Sequence, residues 1–161
     1  FYRSNVPVLD LRSFNTSKLI DMRSMFGYSN TTKIDLSNFD TSNVTDMNGV
    51  FSGSKIKTID VSNFNTSKVT SMRDMFHNVQ VPEIKGLENF DTRNITDMAY
   101  MFYESSIETL DLSSFELSDD ALNYGMFWNC KTKTVYAKNE NMVNKFKSSA
   151  VVPSTLTFVI K

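Results

Sequence analysis

The sequence predicts an α/β solenoid, in which each coil of about 25 residues adds one strand to a parallel sheet and one short helix. Two observations predict it: phenylalanines recur in two sets at a nearly constant interval, and methionines keep a constant offset from one set. A unit of this length cannot bury its apolar face alone, whereas stacked units share one core. The first set is Phe14, Phe39, Phe64, Phe90 and Phe115, and the second is Phe1, Phe26, Phe51, Phe76, Phe102 and Phe127.

The methionines follow the second phenylalanine set and account for eight of the nine methionines of the chain. One group stands four positions before the phenylalanine and the other directly before it, where Val50 takes the place once. We therefore expect a core of aromatic and thioether side chains. These methionines are Met22, Met47, Met72, Met98, Met25, Met75, Met101 and Met126.

Each unit divides into a strand half and a second, helix-like half. Ile59 and Val61 alternate with polar residues, which is typical of a strand with one buried face. Val69, Met72 and Phe76 stand at i, i+3 and i+7, which predicts one face of a two-turn helix. Stacking then places like strands side by side and parallel, with the helices outside.

The pattern predicts a repeat domain over residues 1–127 and a C-terminal cap over residues 128–161. The repeat domain holds five units, and the first is truncated at its start because Phe1 already occupies a repeat position. The fourth unit has one extra residue around Gly86, which predicts a bulge or bend. In the cap we expect a strand at 134–137, a helix at 141–146 and a closing strand at 155–160.

Composition excludes several classes of protein. The chain of 161 residues carries 17 Lys and Arg against 18 Asp and Glu, which disfavours nucleic-acid binding. The single Cys130 and single His77 leave no disulfide framework, cysteine cluster or hydrolytic triad. No apolar run approaches the length of a membrane span. We therefore expect no enzyme, no cofactor, no metal site and no direct membrane insertion.

The strand half matches the leucine-rich-repeat pattern, with Phe where Asn or Cys is usual. The fuller unit, residues 34–51, resembles the BspA-like leucine-rich repeats of the DUF285 family, also called the bacterial surface protein 26-residue repeat. The resemblance covers about residues 1–137, and Cys130 stands where that family often has Cys. It implies a right-handed leucine-rich-repeat solenoid with short helices.

The resemblance also implies a place and a role. Such proteins are surface-exposed, secreted or lipoproteins, so we expect a cell-surface or extracellular location and adhesion to a host or neighbouring cell. The partner would be a protein or glycan, bound by the exposed strand face. The alternative is a structural spacer that displays another domain and has no ligand of its own.

The candidate binding residues lie on the outward side of the strands and where the repeat pattern breaks. Among them, Asp10, Asp35, Asp60 and Asp111 form an acidic row, which could receive a basic peptide, a cation or a glycan. The simpler interpretation is that each carboxylate accepts hydrogen bonds from neighbouring hydroxyls or turn amides, and calcium bridging is a weaker alternative. The candidates are Asp10, Arg12, Asp35, Ser37, Asp60, Ser62, Lys85, Glu88 and Asp111, with Gly86 taking the place of the fourth Asp.

Some residues suggest structural roles. Threonines recur at 16, 41, 66 and 92, and turn or cap hydrogen bonding explains them more simply than ice binding. We expect Tyr124 and Trp128 to cover the last core layer, although exposed aromatic side chains there could anchor a partner. His77 is expected at the surface, and Cys130 in a buried turn.

Overall fold

The computed structural model describes residues 1–161 and confirms the solenoid of parallel strands. We number each coil by the strand that begins it. The strands are short, because each contributes only the few residues that pair with its neighbour. They are β1 Val8–Leu9, β2 Lys33–Ile34, β3 Ile59–Asp60, β4 Ile84–Lys85, β5 Thr109–Leu112, β6 Thr134–Ala137 and β7 Thr157–Ile160.

The registers of the strand pairs reproduce the sequence period. Leu9 pairs with Ile34, Ile59 with Ile84, and Leu110 with Val135, so each partner stands one repeat further along the chain. On the opposite side of each coil, single parallel bridges form a second line of pairing. Because both lines run parallel, every coil lies directly on the next. The bridges join Asp21, Asp46, Ser71, Asp97 and Leu122 in that order.

The prediction of a short helix in the second half of each unit is wrong. These segments, residues 21–28, 46–53, 71–78, 97–104 and 122–129, are chains of tight turns, which we call the turn segments. In coil 3, alternate N–H groups from Met72 to Asn78 donate to carbonyls of coil 4 at 2.7–3.0 Å. The N–H groups of Met75 and His77 donate three positions back instead. The backbone therefore divides its hydrogen bonds between its own turns and the next coil.

Left-handed backbone conformations explain why no helix forms there. Asp74 and Asn78 have φ of 55° and 52°, and the equivalent Gly49 and Gly53 have φ of 62° and 60°. A right-handed helix cannot include such residues. A two-turn helix is marginal in water, so bonding between coils prevails. The inward positions are the same in both arrangements, which is why the apolar spacing resembles that of a helix.

The core is the predicted column of aromatic and thioether side chains. The rings of Phe26, Phe51, Phe76 and Phe102 stack in nearly parallel orientation, with centroids 5.6–5.8 Å apart. All four are fully buried, as are Met22, Met47, Met72 and Met98. Phe1 and Phe14, at one end of the stack, are half-exposed.

The histidine and the cysteine both lie between surface and core. His77 is half-buried on the turn segment of coil 3, where its Nδ1 is 3.4 Å from a carboxylate oxygen of Asp74. Cys130 packs against the core but is only half-buried, so it is less enclosed than predicted.

Hydroxyl and amide side chains join the coils at their corners. The Thr66 hydroxyl accepts from the N–H of Asp91 at 2.8 Å and donates to its carbonyl at 3.0 Å. Thr41 and Thr92 repeat the arrangement one coil before and one after. The Asn63 amide donates to the carbonyls of Leu36 and Phe39 at 3.0 Å. The threonine row is therefore structural, but its hydroxyls bridge neighbouring coils and do not serve as the turn or cap hydrogen bonds that were expected.

The extra residue of the fourth unit is Gly86, and it bends the chain as predicted. Gly86 is left-handed with φ of 91° and is followed by a single 3-10 turn, Leu87–Asn89. An added Cβ would lie 2.3 Å from the Cα of Ser62. Because glycine has no Cβ, the backbone at the inserted position can lie against the backbone of coil 3.

The C-terminal elements follow the prediction closely. β6 covers residues 134–137, helix α1 spans Glu140–Lys147, and β7 covers residues 157–160, beginning two positions later than expected. Asn139 caps α1 by accepting from the N–H of Met142 at 3.0 Å. The helix buries Met142, Val143 and Phe146 against the end of the stack.

Candidate functional site

The strand face is interrupted at two places. β1 pairs with β2, β3 with β4, β5 with β6, and β6 with β7, but neither β2 and β3 nor β4 and β5 are paired. Between β2 and β3 the coils stay joined on both sides of the gap: the N–H of Lys57 donates to the Thr32 carbonyl, and Asn63 clamps coil 2. The strand ladder therefore opens locally while the stack continues.

The gap between β2 and β3 forms a cavity of about 430 Å³, which we call the cleft. Its apolar lining includes Ile34 and Ile59, and Ile34 is only half-buried because no strand pairs with it on this side. Polar side chains complete the lining. They are Lys33, Asp35, Ser37, Thr58, Asp60, Ser62 and Asn63.

Asp35 and Asp60 are each held by a turn of their own. The N–H of Ser37 donates to Asp35 at 3.0 Å, and the N–H of Ser62 donates to Asp60 at 3.0 Å. The Ser62 hydroxyl donates to the same Asp60 oxygen at 2.7 Å. Hydrogen bonds from these serines lower the pKa of both carboxyls below the usual value for Asp. The turn-amide interpretation of the acidic row is thus confirmed for both.

The outer members of the acidic row have cationic partners. Arg12 donates to Asp10 through Nε at 2.9 Å, and its side-chain hydrogen bonds lower the pKa of Asp10 to about 2. Lys161, directly after β7, pairs with Asp111. Partial burial raises the pKa of Asp111, but the bonds from Lys161 and Ser113 outweigh it, so the pKa is lowered. Asp35 and Asp60 have no ion pair.

The fourth position of the acidic row is occupied by Lys85. The repeat positions in the sequence had predicted Gly86 there. β3 and β4 pair Ile59 with Ile84, so Lys85 lies opposite Asp60 and the inserted Gly86 follows it. Lys85 is exposed beside Asp60 without forming an ion pair. Glu88 lies on the 3-10 turn, outside the cleft. The insertion therefore replaces a row of like charges by a mixed one.

A match to a family model shows to which protein family this chain belongs. The model described as "Mycoplasma protein of unknown function, DUF285" matches residues 1–82 and residues 59–158. This chain belongs to the DUF285 family. Comparisons with curated proteins and with solved structures give no match.

Two further features bear on what this DUF285 site can do. No three His, Cys, Asp or Glu side chains lie together in a way that could hold a metal ion. None of the helices of the chain has the length and apolar character needed to cross a bilayer. The site therefore offers charge, hydrogen bonds and an apolar floor, and no set of metal ligands.

The sequence identified the cleft's carboxylates but not the cleft. Lys33 breaks the repeat pattern, whereas Ile34 and Ile59 have the spacing of ordinary core residues. The cleft exists because two neighbouring strands do not pair. No residue pattern in this DUF285 sequence marks that interruption.

Proposed function

We propose that this DUF285 chain is a noncovalent binding module whose strand face holds a cationic segment of a protein ligand in the cleft. One observation carries the proposal: Asp35 and Asp60, the two carboxylates of the acidic row without a cationic partner, line the same cavity. Each is fixed by hydrogen bonds from the serine two positions on. Fixed charges lose little entropy when they bind a partner.

An arginine or lysine side chain suits the chemistry of the cleft. Its aliphatic stem would cover Ile34, whose surface the missing strand pairing leaves partly accessible. Its charged end would bond to Asp35 and Asp60, and charge-assisted hydrogen bonds are about twice as strong as neutral ones. An anionic ligand would face both carboxylates and a single lysine of the lining, Lys33, so the cleft favours a cation.

The proposal extends to the biological setting. The repeat resembles the BspA-like leucine-rich repeats, so we place the chain on a bacterial surface or in a secreted protein or lipoprotein. The bound macromolecule would belong to a host or neighbouring cell, and the activity would be adhesion or recognition. The pattern of residues 34–51 supports this setting.

A peptide-binding measurement tests the cleft. The probes are fluorescently labelled hexa-arginine and hexa-glutamate, titrated by anisotropy against the chain and against the double variant Asp35→Asn/Asp60→Asn. Asparagine keeps the turn hydrogen bonds while removing the charge. We expect hexa-arginine to bind, and the double variant to bind it at least about tenfold more weakly. Hexa-glutamate should not bind.

The matched control removes two charges elsewhere. Asp40 and Asp120 are exposed and line no part of the cleft, so Asp40→Asn/Asp120→Asn changes the net charge equally. This variant should keep the affinity for hexa-arginine within about twofold of that of the unaltered chain, because salt screens charges that lie far from the cleft. Equal weakening in both double variants would reduce the binding to a net-charge effect. No binding of hexa-arginine by the unaltered chain would favour the structural spacer.

A further inference from the structure

A column of aromatic side chains crosses the turn segments on three successive coils. It consists of His77, Tyr103 and Trp128, one from each of coils 3, 4 and 5, which we call the aromatic column. The ring centroids of His77 and Tyr103 are 4.8 Å apart, and those of Tyr103 and Trp128 are 5.4 Å apart. Trp128 retains 39% of its surface exposed.

The fold itself does not need aromatic residues at these positions. The equivalent residues of coils 1 and 2 are Gly27 and Ser52, and those turn segments have the same hydrogen bonds between coils. The expectation that Tyr124 and Trp128 cover the last core layer is wrong, since Tyr124 is 51% exposed. Phe146 and Phe158 pack on Phe127 instead.

Tyr100 packs against the middle of the column. Tyr100 lies 5.9 Å from Tyr103 and 5.5 Å from Tyr124, centroid to centroid. Its ring fills the space where a Cβ on Gly125 would stand, 2.7 Å away. The Arg73 guanidinium lies 5.1 Å from the Tyr100 centroid. A ligand would therefore meet a preformed aromatic surface.

A second column, of hydrogen-bonding side chains, runs beside the first. Asn78, Glu104 and Asn129 directly follow the three aromatic residues, and all have left-handed backbones. They offer two amides and one carboxylate. Arg73 is the cation nearby, and it pairs with Asp74 at 3.5 Å and with Asp97 at 3.4 Å. The surface thus combines aromatic faces, donors and acceptors with more carboxylates than cations.

We propose that the aromatic column and its polar neighbours form a second binding site, for a neutral oligosaccharide. A sugar ring has an apolar C–H face that stacks on an aromatic ring and a rim of hydroxyls that pair with amides and carboxylates. Both kinds of group stand here side by side on three coils, so a linear chain of sugars would run along the solenoid axis. A neutral ligand is neither attracted nor repelled by the carboxylates of this surface, whereas an anionic one would be repelled.

The test uses Trp128, the single tryptophan of the chain, as its own reporter. The probes are maltohexaose, mannohexaose and chitohexaose at millimolar concentrations, with intrinsic fluorescence and calorimetry as the readouts. We expect at least one to shift the Trp128 emission and to bind with measurable heat. Tyr103→Ser should weaken that binding about tenfold, and it should fold because Ser52 occupies the equivalent position.

Matched variants separate this site from the cleft. Tyr28→Ser removes an exposed aromatic residue on the turn segment of coil 1 and should leave oligosaccharide affinity unchanged. Asp35→Asn/Asp60→Asn should also leave it unchanged, so the two proposals fail independently. No response to any of the three sugars would overturn the inference. Hexa-arginine shifting the Trp128 emission where the sugars do not would instead assign the surface to a cationic protein segment.

Discussion

At the scale of single residues, a few positions decide how regular the stack can be. Gly86 is the clearest, because it absorbs the extra residue of coil 4 with a left-handed backbone pressed against Ser62. By contrast, the Ser54 and Ser105 hydroxyls are buried without a partner, at a position that holds Val79 in coil 3. The repeat therefore tolerates a polar side chain at the position of Ser54 and Ser105. At Gly86, by contrast, even a Cβ would collide with the backbone of Ser62.

Gly86→Ala should destabilise the chain by about 3 kcal/mol, since the new methyl group meets backbone atoms and the left-handed conformation is strained for alanine. A protein of this size would lose roughly 10 °C in Tm. Thermal unfolding followed by circular dichroism measures this. Gly27→Ala is the control: its backbone is not left-handed and its nearest contact is 3.3 Å. If both variants lost the same stability, the strained backbone would not be the cause.

At the scale of elements, the turn segments show how neighbours override a local pattern. The spacing of Val69, Met72 and Phe76 predicts a helix, but alternate N–H groups from Met72 to Asn78 bond to the next coil. The strand half was predicted correctly because alternation of apolar and polar residues directly reflects one buried and one exposed face. Bonding between coils also makes the threonine row structural.

Thr66→Val should destabilise the chain by about 1–2 kcal/mol, because valine neither accepts from the N–H of Asp91 nor donates to its carbonyl. Urea unfolding provides the measurement. Thr70→Val serves as the comparison, since its exposed hydroxyl bonds only to the Thr45 carbonyl, which the N–H of Thr70 also reaches. A loss at Thr70 as large as that at Thr66 would contradict a bridging role for the buried hydroxyl.

At the scale of the whole molecule, aspartates accept hydrogen bonds from their own turns in every coil with a regular strand half. Hydrogen bonds from the residue two positions on lower the pKa of Asp10, Asp35, Asp40 and Asp60. A carboxyl whose folded pKa is lowered stabilises the fold above its unfolded pKa of about 4. That contribution is lost as the pH falls through the folded value.

We therefore expect the Tm to be nearly constant from pH 7 to about pH 5 and to fall progressively from there to about pH 2. Calorimetry at a series of pH values measures the profile. Asp60→Asn keeps the turn bonds but cannot be protonated, so its profile should be shallower below about pH 4. Asp120→Asn is the comparison variant, and its Tm at pH 7 should match that of the unaltered chain because Asp120 has no hydrogen bond or ion pair in the fold. A Tm that rose on acidification would contradict the assignment.

The sequence by itself determined the period, the parallel stacking, the Phe and Met core and the order of elements at the C-terminal end, because each depends on apolar spacing that repeats along the chain. It also determined which carboxylates face outward, since alternation assigns each strand residue to one side. Tertiary structure alone decided the rest. The turn segments, the register at Lys85, the open ladder between β2 and β3 and the exposed aromatic column all depend on hydrogen bonds and contacts between coils, whose residues are remote from one another along the chain.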